Sequence, residues 1–170
     1  MSTNTVTARL GQHILVVLDS TPAFHDALRA AAAALPEVEQ RAFTLLCCCP
    51  PRYWEHGGGQ PDDVAQQVEQ VETSRDRDFD RINRCLDHAA GLLREAGVPE
   101  ARITRRFVTE HDHIRAAVMD ELRQRPYSGV IVSAYHTDII NRLERRGLTD
   151  VFRSVPPVAV EVLETRAAAR

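Results

Sequence analysis

His13-Ile-Leu-Val-Val-Leu-Asp19, followed at once by Ser20-Thr-Pro22, decides the fold. Consecutive apolar residues without polar alternation mark a strand covered on both faces, as in a parallel sheet, rather than one with a wetted side. A hydroxyl residue with an early proline then marks a helix start, because the hydroxyl caps an orphan amide and proline has none to lose. This predicts a helix over about residues 23–34, stopped near Pro36.

The same grammar repeats outward. Residues 42–49, Ala-Phe-Thr-Leu-Leu-Cys-Cys-Cys, read as a second buried strand closed by Pro50-Pro51. A loop from Pro51 to Pro61 contains Gly57-Gly-Gly59. Beyond it Val64, Val68, Val71, Phe79, Ile82, Leu86, Ala89 and Leu93 recur at helical spacing. They form one stripe on a helix of roughly nine turns. Gly97 is placed to end it and Pro99 to prevent its continuation. Residues 103–108 read as a third strand, and 113–123 as a helix with Ile114, Ala117, Val118, Met119 and Leu122 on one face. A fourth strand spans 129–135. Ile139, Ile140, Leu143, Leu148, Val151 and Phe152 suggest a last helix, interrupted at Gly147, and residues 158–163 make a fifth strand after Pro156-Pro157. Strands alternating with helices imply right-handed crossovers and an α/β fold: a doubly wound, five-stranded, mostly parallel sheet with helices on both faces. No repeat or linker divides the chain. One domain over 12–164 is expected, with an extended or disordered lead at 1–11 and a frayed tail at 165–170.

Composition narrows the chemistry. The chain has 170 residues and a formal net charge of −3, with 44% hydrophobic and 26% charged residues, as in an ordinary globular domain. Charge is mixed along the chain, which favours neither nucleic acid nor an acidic membrane surface. All 21 basic residues are Arg. Without lysine there is no P-loop phosphate lysine and no Schiff-base lysine for a pyridoxal cofactor. The polar first dozen residues lack a signal-peptide pattern, and the apolar run at 14–18 is too short to span a bilayer. Cys47, Cys48, Cys49 and Cys85 suit reduced thiols, so a cytoplasmic setting is expected.

In an open parallel sheet, ligands bind beyond the carboxyl ends of the strands, where strand order reverses. Asp19 ends the first strand, where its carboxylate either accepts from a ribose or amide or caps the following helix. Three neighbouring cysteines on a strand alternate between faces and cannot converge on one metal, so they read as small buried hydrophobes. Glu110-His111-Asp112-His113, with His136 and Asp138, puts imidazoles and carboxylates on one rim. These suit Zn²⁺ or Ni²⁺, yet their spacing matches no metal motif. His25 and His88 read as solvent-facing, and the charged stretch 72–84 as a solvated helix face. No nucleophile elbow, Cys/His pair or HExxH motif is present, so no catalytic residue is assigned.

Five segments in register carry a resemblance: residues 14–20, Ile-Leu-Val-Val-Leu-Asp-Ser; 45–51, Leu-Leu-Cys-Cys-Cys-Pro-Pro; 90–98, Ala-Gly-Leu-Leu-Arg-Glu-Ala-Gly-Val; 130–134, Val-Ile-Val-Ser-Ala; and 155–162, Val-Pro-Pro-Val-Ala-Val-Glu-Val. Together they resemble the universal stress protein family over about residues 12–164. The resemblance implies that family's fold, of the adenine nucleotide alpha hydrolase-like type, and a homodimer paired through the last strand. Val158, Val160 and Val162, alternating with Ala159 and Glu161, offer an apolar face and an edge for such a partner. One branch of the family binds ATP through Gly-x-x-Gly, nine residues, then Gly-Ser or Gly-Thr. Those positions fall here on Ala134, Thr137, Gly147 and Leu148, and only Gly147 agrees. Glycine lets backbone amides close on phosphate oxygens and the hydroxyl adds a donor, so each loss costs about 1–3 kcal/mol of phosphate affinity.

The expected pocket comprises Asp19, Cys48, Ala134, Thr137, Gly147 and Arg142. His136, Arg142, Arg145 and Arg146 either meet an anion by charge or form a solvated face. The leading expectation is a non-enzymatic, dimeric regulatory or stress-response protein with an unidentified protein partner, no required cofactor, and ATP or AMP disfavoured. A nucleotide sensor or weak ATPase is the first alternative. A metal- or small-ligand module on His111, His113 and His136 is the second.

Overall fold

The structure, a computed structural model, describes residues 10–19, 21–48, 64–109, 114–136, 139–140 and 158–163. Its elements are β1 (His13–Val17), α1 (Pro22–Ala34), β2 (Ala42–Cys48), α2 (Val64–Glu95), β3 (Ile103–Val108), α3 (Ile114–Gln124), β4 (Gly129–Ser133) and β5 (Ala159–Leu163). The five strands form one sheet in the order β3-β2-β1-β4-β5, every pair parallel. The chain builds one half of the sheet outward from β1 and then crosses over to β4. Strand order therefore reverses between β1 and β4.

The unbroken apolar run of β1 has its reason in its two faces. Ile14 and Val16 join a core with Phe24 and Leu28 of α1 and Ile82, Leu86, Ala89 and Leu93 of α2. Leu15 and Val17 join a second core with Val118, Met119 and Leu122 of α3, Val130 and Val132 of β4, and Ile139. The sheet is thus covered on both sides, as the sequence predicts.

The helix ends also follow the sequence. Thr21 caps α1, its Oγ1 accepting from the Phe24 amide at 3.3 Å, and Pro22 opens the first turn. Gly97, at φ 102°, closes α2: its own amide donates to the Arg94 carbonyl at 2.9 Å and that of Val98 to the Leu93 carbonyl at 3.0 Å. That paired closure needs a left-handed residue, which glycine supplies without a Cβ penalty.

On the α3 face lies a polar cluster that the sequence does not announce. Glu121 is 3% exposed and sits within 2.6 Å of the Tyr127 hydroxyl, 2.9 Å of Arg106 Nε and 3.2 Å of Arg125 Nε. A buried carboxylate is tolerable only with such partners. Burial, then the bond to Glu121, pushes the Tyr127 phenol up to about 12, so it remains a donor at neutral pH. The His13 ring packs on Tyr127 with centroids 4.4 Å apart.

Leu10 is wholly buried and crosses the start of β4 so closely that a Cβ on Gly129 would stand 2.5 Å from its carbonyl oxygen. Gly129→Ala must displace backbone rather than a flexible side chain. We expect it to lower unfolding free energy by about 1–3 kcal/mol, measured by urea denaturation. An unchanged midpoint would show that the crossing yields freely.

Candidate functional site

The carboxyl ends of β2, β1 and β4 define the rim at which the sequence places a ligand. Val17 pairs with Leu46, so Asp19, two residues on, stands level with Cys48. Val16 pairs with Ile131, so Asp19, three residues on, also stands level with Ala134. The Leu18 amide continues the ladder by donating to the Leu46 carbonyl at 2.9 Å. Neighbouring strands lie about 4.8 Å apart, so Cys48, Asp19 and Ala134 span a strip of about 10 Å at the switch point. The structure thus brings together three of the six expected pocket residues. Thr137, Arg142 and Gly147 lie outside the described residues.

Asp19 is half-buried, and its Oδ1 accepts from the Thr21 amide at 2.9 Å. The cap of α1 is Thr21, so Asp19 fixes the turn ahead of the helix instead of capping it. One carboxylate oxygen carries that bond, and a carboxylate has further acceptor capacity. The first turn of α1 carries no acidic residue, so the positive end of its dipole faces the rim unopposed from within the helix.

The turn after β4 is closed by side chain and backbone. Ser133 is fully buried, and its Oγ accepts from the Tyr135 amide at 3.4 Å, while its carbonyl accepts from the His136 amide at 3.0 Å. The His136 carbonyl accepts from the amides of Ile139 and Ile140, both at 3.0 Å. The Ala134 amide donates to the Leu163 carbonyl at 3.1 Å, which commits it to the sheet. None of Ala134, Tyr135 and His136 has positive φ. Tyr135 is 63% exposed, and it is the one large apolar side chain so open among the described residues. His136 is half-buried, with Nε2 shielded from solvent and lacking a hydrogen-bond partner among the described residues. The sequence places Tyr135 and His136 in the candidate segment 134–138 but singles out His136 alone, and gives Ser133 no role. An aromatic and a hydroxyl immediately beyond an apolar strand were the available signal.

The cysteines divide as alternation requires. Cys47 packs on the α1/α2 core, and Cys48 therefore points to the other face. Cys47, Cys48 and Cys85 are not in disulfides, and Cys49 lies outside the described residues. Among the described residues no three His, Cys, Asp or Glu side chains converge as a metal shell. His111 and His113 are not among those residues.

His25 corrects the sequence reading. It is half-buried, with Nε2 3.7 Å from Cys85 Sγ and its ring centroid 4.7 Å from that of His88. An i, i+3 pair on α2 reaches across to the first turn of α1, a tertiary contact that one helix's periodicity cannot reveal. Burial, then the nearby His88, lowers the His25 pKa below the ordinary 6.5, against Asp19 and Asp26. Burial pushes the Cys85 thiol up.

Helix α2 flanks the rim. Phe79 meets Phe107, the penultimate residue of β3, edge to face at 5.1 Å. The helix begins at Val64, so roughly 22 Å of it precedes this contact at 1.5 Å per residue. Among the described residues no helix is long and apolar enough to cross a membrane.

At the far edge, β5 pairs only with β4 among the described residues. Val158, Val160 and Val162 pack half-buried on the chain's own α3-side core, so that apolar face is already partly used. Glu161, in register with Ile131, has Oε2 shielded from solvent with no hydrogen-bond partner among the described residues.

No sequence-family profile matches the chain, and no curated protein matches it significantly in sequence. Solved structures do match in fold. A universal stress protein in complex with cAMP aligns at 15% identity with a TM-score of 0.53, over 91% of this chain and 97% of that one. The universal stress protein from Archaeoglobus fulgidus in complex with dAMP aligns at 11% identity and TM-score 0.52, over 91% and 98%. A further structure of universal stress protein from Archaeoglobus fulgidus aligns at 12% and 0.50, over 91% and 93%. The chain therefore has a universal-stress-protein-like, doubly wound α/β fold.

Burial raises the Glu161 pKa above its ordinary value, so folding favours the protonated acid. That stabilisation is complete below the unfolded pKa and is lost as pH rises through the raised folded one. Glu161→Gln is expected to melt higher than wild type at pH 7, the gap closing by about pH 4, in paired thermal scans. A variant that melts lower at pH 7 would show that the carboxylate has a partner in solution.

Proposed function

We propose that the chain is a non-enzymatic, dimeric, cytoplasmic regulatory protein of universal stress protein type, whose nucleotide pocket is kept as a fold but not as a triphosphate site. The observation that carries this reading is the turn at Ala134–His136. It lies level with Asp19 at the switch point, yet the Ala134 amide is committed to the Leu163 carbonyl and no residue from Ala134 to His136 has a left-handed backbone. A phosphate cradle needs amides turned outward, usually by glycine. Thr137 and Leu148, at the family's second glycine and hydroxyl positions, support the same reading from sequence. The outer edge of β5 is where a second copy would pair, with Glu161 beside the joint.

A second reading, a sensor of nucleoside monophosphates, has its own support. Asp19 retains acceptor capacity, and His136 Nε2 is shielded without a partner among the described residues. The fold neighbours crystallised with cAMP and dAMP carry ligands of that class. A ribose on Asp19 and a single phosphate near His136 would need no triphosphate cradle.

Calorimetric titration with ATP separates these readings from an intact triphosphate site. For the wild type we expect a Kd weaker than about 0.1 mM, because three lost contacts of about 1–3 kcal/mol each move a micromolar site at least that far. Restoring the pattern with Ala134→Gly, Thr137→Gly and Leu148→Ser should tighten ATP by about tenfold or more. A wild-type Kd at or below about 1 µM would overturn the proposal.

A further inference from the structure

Outside the rim, a group of titratable side chains lies where the first turn of α1 meets α2. His25 and His88 stack at 4.7 Å between ring centroids, with Cys85 Sγ 3.7 Å from His25 Nε2. Since no three ligating groups converge there as a metal shell, the chemistry left to this cluster is proton exchange.

We propose that the His25–His88 stack is a proton-operated contact between α1 and α2: a neutral His25 ring against His88 and Cys85 holds the helices together, and charging His25 loosens them.

Three arrangements favour the neutral state. His25 is the fourth residue of α1, where the positive end of the helix dipole opposes an imidazolium. Two imidazolium rings at this separation, one of them half-buried, would repel with little water between them. Cys85, whose thiol stays protonated because burial and Asp19 raise its pKa, is placed to donate to Nε2. Protonating His25 fills that acceptor and leaves two donors facing each other.

The groups around the pair act in both directions. From α1, Asp26 favours charging; it is also paired with Arg29 at 3.3 Å, and Arg29 in turn lies 3.7 Å from Glu95. From α2, Arg81 lies beside Cys85, adding positive field. Asp19, at the tip of β1, favours charging of His25. The Cys47 thiol of β2 packs on the same core as Cys85, and Glu161 of β5 lies on the same sheet face. Burial and His88 outweigh the two aspartates, so His25 stays below 6.5 in the folded chain. The contact therefore contributes fully above pH 6.5 and weakens as pH falls from there through the lower folded value. Because Asp19 belongs both to this cluster and to the rim, the state of one is felt electrostatically at the other, whatever ligand the rim takes.

The test is an NMR titration of the histidine Hε1 resonances in the full chain, with thermal scans from pH 7.5 to 5. His25 should titrate below 6.5. His88→Gln, at an exposed position, should move it up, and Asp26→Asn, also exposed, should move it down. Wild type should lose more of its melting temperature between pH 7 and 5 than His25→Gln does. A His25 that titrates at or above 6.5, or that is unmoved by His88→Gln, overturns the proposal. Equal acid losses in wild type and His25→Gln overturn it too.

Discussion

Everything in this molecule is hung on the pairing of β1 with β2 on one side and β4 on the other. A strand bonded on both edges and covered on both faces has no freedom of register, since a slip of one residue would exchange its two cores. That fixed register sets Asp19 level with Cys48 and Ala134. The rim is thus a consequence of the ladder, not of loop conformation. It also explains why His13-Ile-Leu-Val-Val-Leu-Asp19 is apolar up to its last residue and polar there.

Much of the fold was legible because its signals are local. Period-free apolar runs marked β1, β2 and β4, the more polar β3 was placed to its residue bounds, and Gly97 marked the end of α2. What escaped depends on residues distant in sequence. Glu121 falls on the buried face of α3 but is satisfied by Arg106 of β3 and by Arg125 and Tyr127 beyond the helix. Gly129 looks like turn punctuation, yet its reason is the Leu10 carbonyl lying across it. His25 looks solvent-facing on α1 alone and becomes half-buried only when α2 arrives. Of the site, the three residues that end strands were predictable from topology. Tyr135 and the nitrogen of His136 that has no partner among the described residues were not, because turn geometry decides which atoms face outward.

The rim keeps the features of a nucleotide fold that come with the sheet: a switch point, an acidic residue at the tip of the central strand, and a helix N-terminus beside it. On the proposed function, what local sequence must add is missing. Ala134 spends its amide on β5, and Ser133 closes the turn with its own hydroxyl. Fold likeness at 11–15% identity is compatible with such divergence, since the sheet tolerates changes in the loops that carry binding.

The proposed function requires that this rim hold no phosphate chain. Measuring the affinities of adenosine, AMP and ATP side by side under one buffer condition tests it most directly. Affinities for adenosine, AMP and ATP are expected within about tenfold of one another, or no binding by any. Affinity rising about a hundredfold or more from adenosine to ATP, equivalent to about 2.7 kcal/mol of phosphate recognition, would contradict it.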